Sequence, residues 1–82
     1  MTYGILFEKA DGTELPAGFY YAHVPTLGLT THGEGIDGAR AAALDLMTLW
    51  IAEKRAAGEA LGGSSEVLFS TVEIPDDALQ SA

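Results

Sequence analysis

The chain has 82 residues, 12 acids against 4 Lys and Arg for a net charge of −8, and no cysteine. That length fits one small domain whose core is meagre for a monomer and has no disulfide or thiolate-metal staple, which points to a homo-oligomer. The acidity makes the chain a poor candidate for binding a phosphate backbone and a better one for meeting a basic protein; no apolar run nears the ~20 residues of a membrane span, and the N-terminus lacks the features of a signal peptide, so a cytoplasmic protein is expected.

Residues 2–7 are β-rich, with Tyr3, Ile5, Leu6 and Phe7, and predict a first strand. Residues 9–18 hold Asp11-Gly12 and Pro16-Ala17-Gly18, which is turn chemistry, in a loop long for a tight hairpin. Residues 19–24 predict a second strand, which Pro25 ends because it has no N–H to give the ladder. Residues 29–33 predict a third. Residues 36–57 predict the one helix, rich in Ala, Leu and Met. Asp37 near its start and Lys54 and Arg55 near its end suit the helix dipole, and Gly58 suits a C-terminal cap. Gly62-Gly63-Ser64-Ser65 reads as a flexible connector. Residues 66–74 alternate and run β-branched, predicting a fourth strand that Pro75 stops. Residues 1–75 then make one domain, with 76–82 a frayed tail.

The order β-β-β-α-β predicts an α+β fold of two layers. Three strands form an antiparallel meander. The helix crosses one face and returns the chain to a fourth strand, parallel to the first. The expected result is a four-stranded mixed sheet, order 3-2-1-4, with one helix on one face.

Alternation splits the second strand into Phe19, Tyr21 and His23 against Tyr20, Ala22 and Val24. With residues 25–28 as the loop, Val24 opposes Leu29, His23 opposes Thr30 and Tyr21 opposes His32. The smaller, more apolar set (Tyr20, Ala22, Val24, Leu29, Thr31, Gly33) is assigned to the helix. The open face then carries Phe19, Tyr21, His23, Thr30, His32 and Glu34, an aromatic composition suited to an interface. On the helix, apolar positions span roughly 220°, about twice the stripe that one sheet needs. Either Leu44 and Ile51, or Ala42 and Leu49, are expected outside the core unless loops at Leu15 and Leu61 cover them. The candidate partner or dimer interface is therefore Tyr21, His23 and His32 on the sheet, with Leu44, Thr48 and Ile51 on the helix flank.

Other chemistry is weakly supported. His23 and His32 lie diagonally on one face near Glu34, but no fixed ligand spacing supports a metal, and no metal or cofactor is assigned. Gly33-Glu34-Gly35 lacks the spacing and the base of a phosphate loop and reads as a sharp corner. Ser64, Ser65 and Ser70 have no base and acid at a workable spacing, so no catalytic residue is assigned. Trp50 is expected in the core.

Residues 18–40, GFYYAHVPTLGLTTHGEGIDGAR, resemble the N-terminal domain of HicB antitoxins, the inhibitory partners of HicA toxins. The matching positions are Tyr20, Ala22, Val24, Pro25, Leu27, Gly28, Thr31, Gly33 and Ala39, and the likeness covers about three-quarters of the chain. Leu27-Gly28-Leu29 stands where the family has Pro-Gly-Cys. Glu34-Gly35-Ile36-Asp37-Gly38-Ala39 replaces an Asp-Thr-x-Glu-Glu-Ala corner, losing its Thr cap and one acid. The resemblance implies a truncated ribonuclease-H-like fold, with no carboxylate cluster on its strands to hold metal. It implies a non-enzymatic antitoxin that masks a basic, RNA-cleaving HicA-like toxin, in which the catalytic histidine is the toxin's own. Full antitoxins add a DNA-binding module after this domain. No basic recognition helix occurs here, so operator binding is not expected.

Two other readings stay open. One is a toxin-free homo-oligomeric structural or regulatory module of the same fold. The other is an enzyme or small-ligand binder built on His23, His32 and Tyr21, with a pocket that two protomers would have to enclose.

Overall fold

The computed structural model describes residues 2–60 and 67–76. Three strands, β1 (Leu6–Lys9), β2 (Phe19–Val24) and β3 (Leu29–Glu34), form one antiparallel sheet in the order β1-β2-β3. Helix α1 (Gly35–Ala56) packs across one face.

The β2–β3 hairpin follows the alternation and the turn. Val24 pairs with Leu29, His23 with Thr30 and Tyr21 with His32. The connecting turn is closed by Leu27 N–H donating to Val24 O at 3.1 Å and Gly28 N–H to Pro25 O at 3.2 Å. Strand β1 lies later than the expected 2–7. Its register sets Leu6 against His23. One step further back would set Ile5 against Val24, and the next Gly4 against Pro25, where the ladder has no donor. At its other end the strand runs on to Lys9, and Ala10 N–H still donates to Phe19 O at 2.9 Å.

The fourth strand is the main correction. Residues 67–75 carry no strand, so the sheet is three-stranded and antiparallel rather than four-stranded, mixed and ordered 3-2-1-4. The ribonuclease-H-like arrangement that needed this parallel strand falls with it. Alternation and β-branching give a segment the capacity to be a strand; pairing requires an edge that accepts it. Val67 does come beside Gly4, just ahead of β1. Beyond it Leu68, Phe69, Val72 and Ile74 remain 55–84% exposed. The expected connector at 62–65 lies outside the described residues, as does the expected tail except for Asp76.

The strand-to-helix corner is made by glycines. Gly35 has a φ of +67°, a conformation open to glycine at little cost, and its N–H donates to Gly18 O at 2.8 Å. Gly33 lies directly against the first helical turn at Gly38 and Ala39, where a side chain has no room. The N-cap residue, Glu34, makes no side-chain cap hydrogen bond, so this helix start rests on packing. At the far end Gly58 N–H donates to Arg55 O and Glu59 N–H to Lys54 O, both at 3.0 Å, closing the helix as Gly58 implied.

The core is small. Ala22, Val24, Ala39, Ala43 and Met47 form it, with Tyr3, Ile5, Phe7, Tyr20, Leu27 and Leu29 packed around. This is the face assigned to the helix from alternation. Val24, 1% exposed, is the largest side chain buried completely among the described residues. Helix α1 is ~33 Å long by its 22 residues, whereas six-residue strands span ~20 Å. Its last turns therefore run beyond the sheet, and burial ends at Met47. Trp50, expected in the core, is half-buried instead, with Lys54 Nζ 5.3 Å from its ring centre. Both flanks are open because the sheet covers only the stripe of Ala39, Ala43 and Met47. Leu44 and Leu49 are each 59% exposed, while Ala42 and Ile51 are half-buried.

Candidate functional site

The open sheet face is built from alternate residues of all three strands. Glu8 of β1 stands opposite Tyr21, and Leu6 opposite His23. The side chains directly beneath the helix, Ala22 and Val24, are small because α1 crosses there. Those pointing away meet no second layer, so the face holds aromatic and polar groups that bond to one another.

His23 is the hub. Its Nε2 lies 3.0 Å from Glu8 Oε1 and its Nδ1 3.1 Å from Thr30 Oγ1. An ionised Glu8 can only accept, so Nε2 carries the proton and donates to it. In the neutral ring Nδ1 then accepts from the Thr30 hydroxyl. The bonds tie β1, β2 and β3 together across the face. Tyr21 stacks on His23, with ring centres 6.1 Å apart and planes at 20°. The Tyr21 hydroxyl donates to Glu14 Oε2 at 3.1 Å, reaching across to the loop before β2.

That loop is folded back on itself. Asp11 Oδ1 accepts from Thr13 N–H at 2.9 Å and from the Thr13 hydroxyl at 2.6 Å. These hydrogen bonds, the hydroxyl's first, hold the Asp11 carboxyl below its ordinary 3.8. The Tyr21 phenol is moved the other way. Desolvation raises it above 10, and the hydrogen bond to Glu14 and the negative charges of Glu14, Asp11 and Glu8 add to the rise.

Together Glu8, Asp11 and Glu14, with Lys9 and Thr13 among them, rim an open cleft of about 480 Å³ whose floor includes Tyr21, His23 and Thr30, three carboxylates against one ammonium. An aromatic floor under a carboxylate rim receives ammonium or guanidinium groups, through ion pairs and the ring face. His32 does not line this cleft. It sits beside Phe19, ring centres 6.4 Å apart, toward the β3 edge. No group of three His, Asp or Glu residues is placed to hold a metal ion among the described residues.

Leu44, Thr48 and Ile51 are brought together elsewhere. With Tyr3, Met47 and Arg55 they line a more apolar groove of about 300 Å³ on the helix flank. The six candidate residues thus divide between two surfaces: Tyr21, His23 and His32 on the sheet, Leu44, Thr48 and Ile51 by the helix. Glu8, Asp11 and Glu14 were missed from the sequence. Continuing the β1 alternation one step past Leu6 would have placed Glu8 on the open face. Asp11 followed two residues later by Thr13 is a local turn signal. Nothing local marks Glu14 as a partner of Tyr21.

No helix among the described residues is long and apolar enough to cross a membrane. No protein-family model, no curated protein and no solved structure matches the chain.

Proposed function

We propose that this chain is a HicB-like antitoxin-type binding protein, non-enzymatic, that occludes a basic, RNA-cleaving HicA-like toxin through its open sheet face. The observation that carries the reading is the acid-rimmed aromatic cleft at Glu8, Asp11, Glu14, Tyr21 and His23, on a chain with a net charge of −8. Such a surface steers a cationic protein and discriminates against anions. His32, beside Phe19, extends the contact toward β3. The motif of residues 18–40 supplies the identity of the partner class.

The test begins with a pull-down of the tagged chain from its native lysate. The expected capture is a small basic protein at near-stoichiometric amount, whose purified form cleaves RNA and is silenced by one equivalent of this chain. Binding weakens with added salt and with Glu8→Gln or Glu14→Gln. Recovery of the bait alone, or a captured protein without ribonuclease activity, overturns the proposal. A second reading, a toxin-free homo-oligomeric module of the same fold, draws on the exposed apolar side chains at 68–74.

A further inference from the structure

We infer that residues 68–74 lie as an added strand along the free β1 edge of a second copy, so that two chains exchange strands in a symmetric dimer. The occupant of this surface follows from what one chain leaves unsatisfied. Among the described residues β1 is an edge strand, paired on one side to β2. Its other side presents backbone donors and acceptors to any segment that can lie alongside. Residues 68–74, LFSTVEI, are such a segment, and within their own chain they make no ladder with it.

The side chains fit the same arrangement. In an extended strand Leu68, Val72 and Ile74 fall on one face and Phe69 on the other. The face with three apolar residues needs an apolar surface beside a β1 edge. That surface exists: Tyr3, just ahead of β1, lines the groove with Leu44, Met47 and Ile51. The exposed segment leaves the body where Val67 meets Gly4, next to both the edge and the groove. Segment, edge and groove adjoin at one end of the molecule. A twofold axis there brings each segment to the other copy's edge, the self-complementary geometry of an isologous contact.

Area and stability point the same way. The exposed surface of Leu44, Leu68, Phe69, Val72 and Ile74 amounts to on the order of 700 Å² per chain, near the ~800 Å² that each partner gives to a standard interface. A core whose largest wholly buried side chain is Val24, with no disulfide, gains what it lacks from a second copy. Charge separates this occupant from a basic partner. Two chains of −8 repel, so an apolar contact between them tightens as salt is added, whereas a basic partner lets go.

Sedimentation velocity of the full chain, across a concentration and salt series, is the first readout. The expected species has twice the 8.6 kDa chain mass and is favoured by salt. Val72→Lys alters a side chain exposed in the single copy, so far-UV circular dichroism should stay unchanged while association weakens about tenfold to a hundredfold. Exchange is then distinguished from pairing within one chain by cross-linking, for which the absence of native cysteine is convenient. Chains carrying only Lys9→Cys are mixed with tagged chains carrying only Ser70→Cys, and a short bis-maleimide should join them. A monomer throughout the series overturns the inference, as does a dimer indifferent to Val72→Lys. So does cross-linking confined to a single chain that bears both cysteines. None of these outcomes depends on a toxin.

Discussion

Gly33 and Gly38 stand five residues apart across the strand-to-helix corner, and the structure predicts opposite consequences for adding one methyl group to each. A Cβ at Gly33 would lie 2.6 Å from Ala39 N and closer still to the Gly38 carbonyl. Those are backbone atoms of the first helical turn and cannot rotate aside. Restoring ordinary contact requires strand and helix to part by about 1 Å, and the interior is packed too tightly to absorb that elsewhere. The same contact carries Ala39 and Ala43 onto Ala22 and Val24, so the parting loosens the core itself. Gly33→Ala should therefore cost about 3 kcal/mol, the upper end of overpacking penalties. For a domain of this size that is a fall in Tm of roughly 12–24 °C. A Cβ at Gly38 meets nothing nearer than Gly33 C at 3.6 Å, which is ordinary contact. Replacing glycine within a helix gains up to about 1 kcal/mol, so Gly38→Ala should leave the protein as stable or more so. Urea unfolding followed by Trp50 fluorescence, at one fixed protein concentration, measures both. Gly33→Ala within about 0.5 kcal/mol of the parent, or a Gly38→Ala loss equal to that of Gly33→Ala, would refute the close-approach account.

Val24→Ala should cost about 2 kcal/mol through the cavity it leaves, while Leu49→Ala, on the exposed flank away from the groove, should stay within about 0.5 kcal/mol; equal losses in urea melts would contradict the core described. Carbon-detected NMR should find the Asp11 carboxyl titrating below 3.8, and Thr13→Val should move it back up. The sign follows from a depressed folded value: the Thr13 bonds stabilise the fold above the unfolded carboxyl's range, and that contribution disappears as pH falls through the folded value. An Asp11 midpoint unmoved by Thr13→Val would show the bond to be absent in solution. Ultraviolet titration should place the Tyr21 phenol above 10, with Glu14→Gln lowering it only in part because burial is the larger cause; an unchanged midpoint would remove Glu14 from its hydroxyl.

Much of this fold is legible without coordinates. The β2–β3 register follows from Pro25 closing one strand and from the division of Tyr20, Ala22 and Val24 from Tyr21 and His23, which burial reproduces. The helix span, Gly35–Ala56 against an expected 36–57, follows from composition and the Gly58 stop. Of the cleft, Tyr21 and His23 were legible because alternation fixes which face a strand residue takes. Its carboxylate rim was not. Glu14 reaches Tyr21 only because the loop between β1 and β2 folds back over the sheet, and no pairing rule carries that contact.

The segment at 67–74 marks the boundary most clearly. Its alternation is as regular as that of β2, yet β2 is a strand and residues 67–74 are not. The helix was readable because its hydrogen bonds close within four residues of their own origin, so the signals that place it, composition and the stop at Gly58, are local. A strand's bonds go to another segment, and sequence records only the willingness to pair. Tertiary structure decided the rest: β2 has a strand on each side, and residues 68–74 have none among the described residues.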